Sequence, residues 1–409
     1  MTLTAQRHTL AERLEAATSS PQPAYEASPR PGASAAEAES LAAWLGLLRT
    51  PELGVRGQLN LLGQFHTALA VHHASLTSLE ACQIAASAAQ FIRSGQALEA
   101  GFAELEQVRA QAVEIITMHD ARYPPRLREV YNPPILLYLR GAAEALTRDA
   151  LAVVGTRHPT AYGRFMAERI GQGLAAWGLA VISGLARGID GQAQKACVEA
   201  GGISIGVLGT GVDVAYPKEN EALADKLLAA GGALISEFPL GTYPAAQNFP
   251  IRNRIISGLG LGVVVVEGGE YSGSRITARE ALNQNRDVFA VPGLATSKQA
   301  WLPNDLIKQG AKLVTEITDI VDDLGGDVRR RLTEPLATPK PVAASKEREP
   351  AAHRQILAAL QVGETRQVDE LGGALEGKMT TPELLAALLE LELAGKIRQY
   401  PGKNYMRVA

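Results

Sequence analysis

The 409-residue chain has only two cysteines, Cys82 and Cys197, too few for a disulfide framework or a four-cysteine zinc site. A reducing compartment is the simplest expectation. Charge of one dominant sign is also lacking. Forty Lys and Arg against 43 Asp and Glu leave a formal net charge of −3, which excludes a generally polybasic mode of nucleic-acid binding. Any anion site must therefore be local. The longest nearly apolar run, 173–186, includes Ser183 and falls short of the roughly 20 residues that span a bilayer. Arg7, Glu12, Arg13 and Glu15 stand where a signal peptide would need its apolar core. A cytoplasmic protein with no membrane partner is expected. The histidines show neither H-E-x-x-H nor Cys/His ligand spacing, so no metal and no cofactor are expected.

What is present is a globular mix, 46% hydrophobic and 20% charged, long enough for two or three domains. Residues 1–40 contain a Pro, Ala and Ser-rich stretch with almost no large apolar side chains, and disorder is expected there. Residues 41–114 have helical spacing, as in Leu41, Trp44, Leu45 and Leu48, and predict a small all-α domain. From 115 to 328 the texture changes. Apolar runs at 135–139, 151–154, 180–182, 203–208, 233–235, 262–266 and 288–291 alternate with amphipathic stretches. Such runs fit strands buried on both faces, with helices between them, and predict an α/β doubly wound, mostly parallel sheet of Rossmann-like type. Residues 329–350 are Pro, Ala and charge-rich and predict a linker. Residues 351–409 give three helical patterns and then Ile397–Tyr400 and Asn404–Arg407 around Pro401-Gly402-Lys403, a winged helix.

Several motif matches fail on context. Gly202-Ile203-Ser204-Ile205-Gly206 fits the nucleophile elbow, but a helix precedes it and a strand follows, so Ser204 is expected in a strand. The G-x-G-x-x-A match at 171–176 lies inside a helix. The P-loop spacing at 372–378 ends on Met379 instead of Ser or Thr. Four strand-end segments survive. Gly155-Thr156-Arg157 combines a close-approach glycine with a guanidinium ahead of a helix, which suits phosphate. The stretch 183–190 contains Arg187, and Tyr216-Pro217-Lys218 places Lys218 on a third loop. Phe249 through Arg254 sets an aromatic ring suited to base stacking beside Arg252, Asn253 and Arg254. Ser272, Gly273 and Ser274 then open a helix in a manner suited to cradling phosphate. Asp190, Asp213 and Glu237 are expected to be structural or to orient the arginines, and no nucleophile–base pair or metal cluster accompanies them.

In order and spacing, VVGTR at 153–157, SGLARGID at 183–190, Ser236-Glu237, FPIRNRIISGL at 249–259, SGSRITAR at 272–279 and VFAVPG at 288–293 resemble the DNA processing protein A (DprA/Smf) family. The flanking domains are similar to that family's sterile-alpha-motif or helix-hairpin-helix segment and its winged helix. The resemblance implies an extended Rossmann fold and a non-enzymatic role in natural transformation: binding and protecting incoming single-stranded DNA and loading RecA recombinase onto it. It also implies a homodimer formed through the core, in the region of 304–314. On matching positions, Arg157 and Lys218 would hold phosphates; Phe249, Arg252, Asn253 and Arg254 would line the strand path; and residues 272–274 would offer backbone amides. The sequence departs from the family at Gln194, where histidine is usual, at Gly260, where serine is usual, and in Ala300-Trp301-Leu302-Pro303. The missing histidine argues against a hydrolytic role at that position.

One alternative is an enzyme, a Rossmann-type nucleotide phosphoribohydrolase, whose motif survives here only as Thr277 and Glu280. Another is a ligand-sensing transcription regulator. Against it, the third helix of the winged domain carries Glu383, Glu390 and Glu392, while Lys396, Arg398, Lys403 and Arg407 sit in the hairpin. That domain is expected not to read duplex sequence, and its wing is expected to touch nucleic-acid backbone or a protein partner.

Overall fold

The structure is a computed structural model and describes residues 34–332 and 351–408, apart from Val362, Glu376 and Ala394. The helical domain comprises α1 (Ala35–Arg49), α2 (Val55–Phe65), α3 (Ala68–His73), α4 (Leu76–Glu80), α5 (Ala86–Arg93) and α6 (Gln96–Ala110). Its first helix starts earlier than the expected boundary at residue 41. Ser34 and Glu37 form a reciprocal capping box, with Glu37 N to Ser34 Oγ at 3.3 Å and Ser34 N to Glu37 Oε2 at 2.7 Å. Alanine and glutamate are strong helix formers, so a stretch poor in large apolar residues continues the helix once it is capped. The disorder expected for 1–33 lies outside the described residues. The domain is anchored to the core by Glu104, almost fully buried, which accepts from Tyr138 Oη and Leu240 N, both at 2.9 Å.

The core sheet has nine strands: β1 (Glu114–Thr117), β2 (Leu136–Gly141), β3 (Ala150–Val154), β4 (Ala180–Ser183), β5 (Ser204–Val207), β6 (Ala233–Ser236), β7 (Gly262–Val265), β8 (Asp287–Ala290) and β9 (Lys312–Leu313). Their order is β1-β2-β6-β5-β4-β3-β7-β8-β9. The seven strands from β6 to β9 in that order are parallel, and β2 and β1 join antiparallel at one edge. Central strands such as Ala150–Val154 and Gly262–Val265 are buried along their whole length, which is why they read as continuous apolar runs. Ser204 lies in β5, as its context required.

Two of the crossover helices, α8 (Ala161–Ala176) and α9 (Ile189–Glu199), pack together over the sheet; between β1 and β2 lies the short α7 (Pro125–Arg128). Their approach is close enough that a Cβ on Gly171 would lie 2.3 Å from Ala193 O. The remaining core helices are α10 (Glu221–Ala229), α11 (Asn248–Leu259), α12 (Ser274–Asn283), α13 (Trp301–Lys308), α14 (Ile317–Val321) and α15 (Gly326–Arg331). Helix α15 carries the core beyond the expected end at 328. Val328 is buried in the core, and Arg331 pairs with Asp149 at 2.9 Å, so 329–332 are core and not linker. The rest of the expected linker, 333–350, lies outside the described residues.

The winged domain is α16 (Ala351–Ala359), β10 (Arg366–Gln367), α17 (Val368–Ala374), α18 (Thr381–Leu393) and the hairpin β11 (Ile397–Tyr400) and β12 (Asn404–Arg407). Its strands pair in the order β10-β12-β11. Alternation along β12 divides the hairpin between two cores: Tyr405 packs into the winged domain, while Met406, fully buried, packs into the α/β core with Val328 and Tyr400. Arg398 pairs with Glu168 on α8 at 2.7 Å, and the Arg164 guanidinium lies 5.9 Å from the Tyr400 ring. Part of the wing thus meets this chain's own core. The core supplies Met406 with an apolar seat and Arg398 with a counter-charge, while Lys403 and Arg407 remain exposed.

Candidate nucleic-acid interface

Strand order reverses at β3, whose neighbours are β4 on one side and β7 on the other. In doubly wound sheets the helices diverge at such a point and leave a crevice beyond the carboxyl ends of the strands. Here that crevice is a cleft of about 1060 Å³. Gly155, Thr156 and Arg157 follow β3 directly and line it. The loop is fixed from both sides: Thr156 N donates to Glu267 O at 2.7 Å, and Ile189 N donates to Thr156 O at 3.2 Å. Gly188 has φ +80°, and a Cβ there would lie 2.3 Å from Thr156 O, so glycine is required at this crossing. The start of α8 is held equally firmly. The buried Glu267 carboxylate accepts from Thr160 N at 2.9 Å and from Thr160 Oγ1 at 2.5 Å.

Arg157 is exposed, and its guanidinium sits 5.5 Å from the Phe249 ring centre. Phe249 packs against Tyr216 with ring centres 5.6 Å apart, and both rings line the cleft. Arg187 lies just to the side, in ion pair with Glu219. Lys218 is exposed in the turn after Pro217, on the shoulder of the same loops.

The segment from Phe249 to Arg254 is helical and not a loop; it forms the first turns of α11. At about 100° per residue, positions 252 and 254 point to opposite sides of the axis. Arg252 turns inward and is 5% exposed, its Nη1 donating to Gly184 O at 3.0 Å and to Val207 O. Burial draws its pKa down to about 10, against the raising influence of Asp190. Asp190 is buried too; its carboxyl is pushed up by desolvation, and its Oδ2 accepts from Gly184 N at 3.1 Å. Asn253 lines the cleft. Arg254 does not. It forms a part-buried fork with Glu237, Nη2 to Oε2 at 2.6 Å, and donates from Nε to Asn132 O at 2.9 Å.

Ser272, Gly273 and Ser274 reach the cleft on the far side. The Ser272 amide is occupied by Gly269 O at 3.0 Å, so the three-amide cradle expected there reduces to Gly273 and Ser274, ahead of the first bonds of α12 made by Arg275 and Ile276. The two serine hydroxyls contact each other at 2.7 Å. Reading of the strand-end segments missed two further rings in the cleft. Tyr271 is 92% exposed, and Trp301, at the start of α13, has the Arg275 guanidinium 5.5 Å from its ring. An exposed tyrosine between Glu270 and Ser272 was the available signal. Gln194, at the departure from the family's histidine, is fully buried and bonded: Nε2 donates to Ser204 Oγ and Ile205 O, and Oε1 accepts from Leu185 N. Among the described residues, no group of three or more His, Cys, Asp or Glu could hold a metal ion, and no helix is long and apolar enough to cross a membrane.

A guanidinium, helix-start amides and several aromatic faces in one open cleft, on a doubly wound sheet with an appended winged helix, define the class of DNA-processing α/β proteins. The model of the DNA recombination-mediator protein A family matches residues 114–325, and that of the DprA winged helix domain matches 338–403. The chain belongs to the DNA recombination-mediator protein A family. It is 43% identical to Protein Smf of Escherichia coli over 286 residues, 70% of this chain and 75% of that one. It is also 43% identical to the DNA processing protein DprA of Bacillus subtilis, over 54% of this chain and 74% of that one. The X-ray structure of DprA from Streptococcus pneumoniae superposes with a TM-score of 0.60 at 32% identity, covering 69% of this chain and 98% of that chain.

Proposed function

We propose that the chain binds single-stranded DNA in the cleft at the switch point, protects incoming strands during natural transformation, and loads RecA recombinase onto them. The observation that carries this reading is the pairing of exposed Arg157 with the Phe249 ring, in a cleft that also presents Tyr216, Tyr271 and Trp301. Bases must be unpaired to stack on side chains, so such a cleft favours a single strand over a duplex. Family membership supports the transformation role and, with it, a cytoplasmic homodimer formed through the core and acting on RecA. The reading is non-enzymatic. Asp190 and Glu237 hold backbone and guanidinium groups, and Thr277 reaches the cleft as a buried residue of α12.

The test is fluorescence anisotropy with single- and double-stranded oligonucleotides across a salt series. The wild type is expected to prefer the single strand, and Arg157→Ala to flatten the log–log salt slope by about 0.7, one neutralised phosphate. Equal affinity for duplex, with an unchanged slope in the variant, would overturn the assignment. Release of free base from a nucleoside monophosphate would instead favour the phosphoribohydrolase reading.

A further inference from the structure

A second recess, of about 450 Å³, adjoins the cleft at Arg157, which lines both. Its walls come from the loop entering α8, from α9 and from α10. Besides Arg157 it gathers Arg164, Lys195 and Lys226, and its one carboxylate, Glu219, is paired with Arg187. Lys195 has only a loose contact with Glu199, at 3.8 Å between exposed side chains. Among the described residues Arg157, Arg164 and Lys226 form no ion pair. Cations that outnumber the nearby carboxylates raise the local potential and attract a mobile anion. Among the described residues no aromatic ring lines this recess, in contrast to the cleft beside it. It is therefore suited to phosphodiester groups and not to bases.

We infer that the recess is an exit track for the same DNA strand: nucleotides leaving the cleft pass Arg157, and their phosphates are held by Arg164, Lys195 and Lys226 while their bases face solvent. The inference rests on the single-strand reading above and extends it beyond the cleft. Contacts to backbone alone make this part of the track indifferent to sequence. Arg164 also faces Tyr400 of the wing, so the strand leaves beside the docked winged domain.

The test compares wild type with the Lys195→Gln/Lys226→Gln double variant, using labelled oligothymidylates of two lengths, about 5 and about 15 nucleotides, within the range of single-strand site sizes. Both side chains are exposed, so the fold is expected to be retained. The expected result for the long oligonucleotide is roughly three- to tenfold weaker binding at low salt, with the slope reduced by about 1.4, two phosphates at about 0.7 each. The short one, which fills the cleft, should bind within about twofold of wild type. Unchanged binding at both lengths, or equal loss at both, overturns the exit track while leaving the cleft intact. A wild type that binds neither oligonucleotide overturns the single-strand reading itself.

Discussion

The rim of the sheet and the wing hairpin both concentrate positive charge, yet the two are wired differently. On the rim, Arg157 is exposed and faces an open cleft beside an aromatic ring. On the wing, Arg398 is paired with Glu168 and Arg407 donates from Nη1 to Leu357 O at 3.1 Å. A count of cations does not separate the two regions, with Arg157, Arg187, Lys218, Arg252 and Arg254 on the rim against Lys396, Arg398, Lys403 and Arg407 in the hairpin; the partners of Arg157 and Arg398 do. The Arg398 charge, already neutralised by Glu168, releases few counterions on binding DNA and contributes little to affinity. The same contrast divides the arginines of α11. Arg254 holds the fold through Glu237, while Arg252, though mostly buried and bonded to Gly184 O, still lines the cleft beside Arg157.

The largest effect expected from this contrast is on stability. Arg254→Ala leaves the Glu237 carboxylate buried without its guanidinium, which is expected to cost about 3–5 kcal/mol in urea unfolding. Arg157→Ala, at an exposed site, is expected to stay within about 0.5 kcal/mol of wild type while weakening DNA binding. If Arg254→Ala kept its stability and lost binding, the division between the two arginines would be wrong. Next in size is the seat of the wing. Met406→Ala removes a fully buried side chain between the hairpin and the core, an expected loss of about 2–5 kcal/mol. Hydrogen exchange reads it locally, as faster exchange in β11 and β12 with the central strands of the sheet unaffected. Unchanged protection in the hairpin would mean the docking does not depend on this contact.

The central strands were legible because burial on both faces leaves an unbroken apolar run. The edges were less so: β9 is only two residues long and both are exposed, which gives no periodicity to read. The rim itself could be located from glycine and arginine at strand ends, since backbone approach and phosphate chemistry demand those residue types. The helical phase of Phe249 to Arg254 could not. Pro250 reads as loop punctuation, although proline fits the first turn of a helix, and the acceptors of Arg252 come from strands far off in sequence. Tyr271 and Trp301 escaped notice for a related reason. An aromatic residue in a turn looks the same in sequence whether it faces solvent, core or cleft, and only the strand-order reversal at β3 gathers these rings. The wing's docking was equally hidden. Tyr405 and Met406 are both apolar neighbours on one strand, and nothing local reveals that the second faces another domain.

The smallest expected effect bears most directly on what the wing is for. Arg398 and Glu168 are 44% and 23% exposed, so their pairing contributes at most about 1 kcal/mol and is weakened by salt. Arg398→Ala should therefore loosen the hairpin only slightly, and more at low ionic strength than at high. Its effect on DNA separates two roles. A wing that grips duplex backbone through Arg398 would lose roughly one phosphate contact, about 0.9 in the log–log salt slope of duplex binding. A wing seated on the core has no such contact to lose, and both the duplex and the single-strand slopes should match wild type. The outer face of α18 points the same way, since Glu383, Leu385, Leu389 and Glu390 are exposed there and offer base edges no cationic donor. A reduced duplex slope in Arg398→Ala would show that the hairpin leaves its seat to bind DNA, and that its intramolecular ion pair is a competing partner for the same guanidinium.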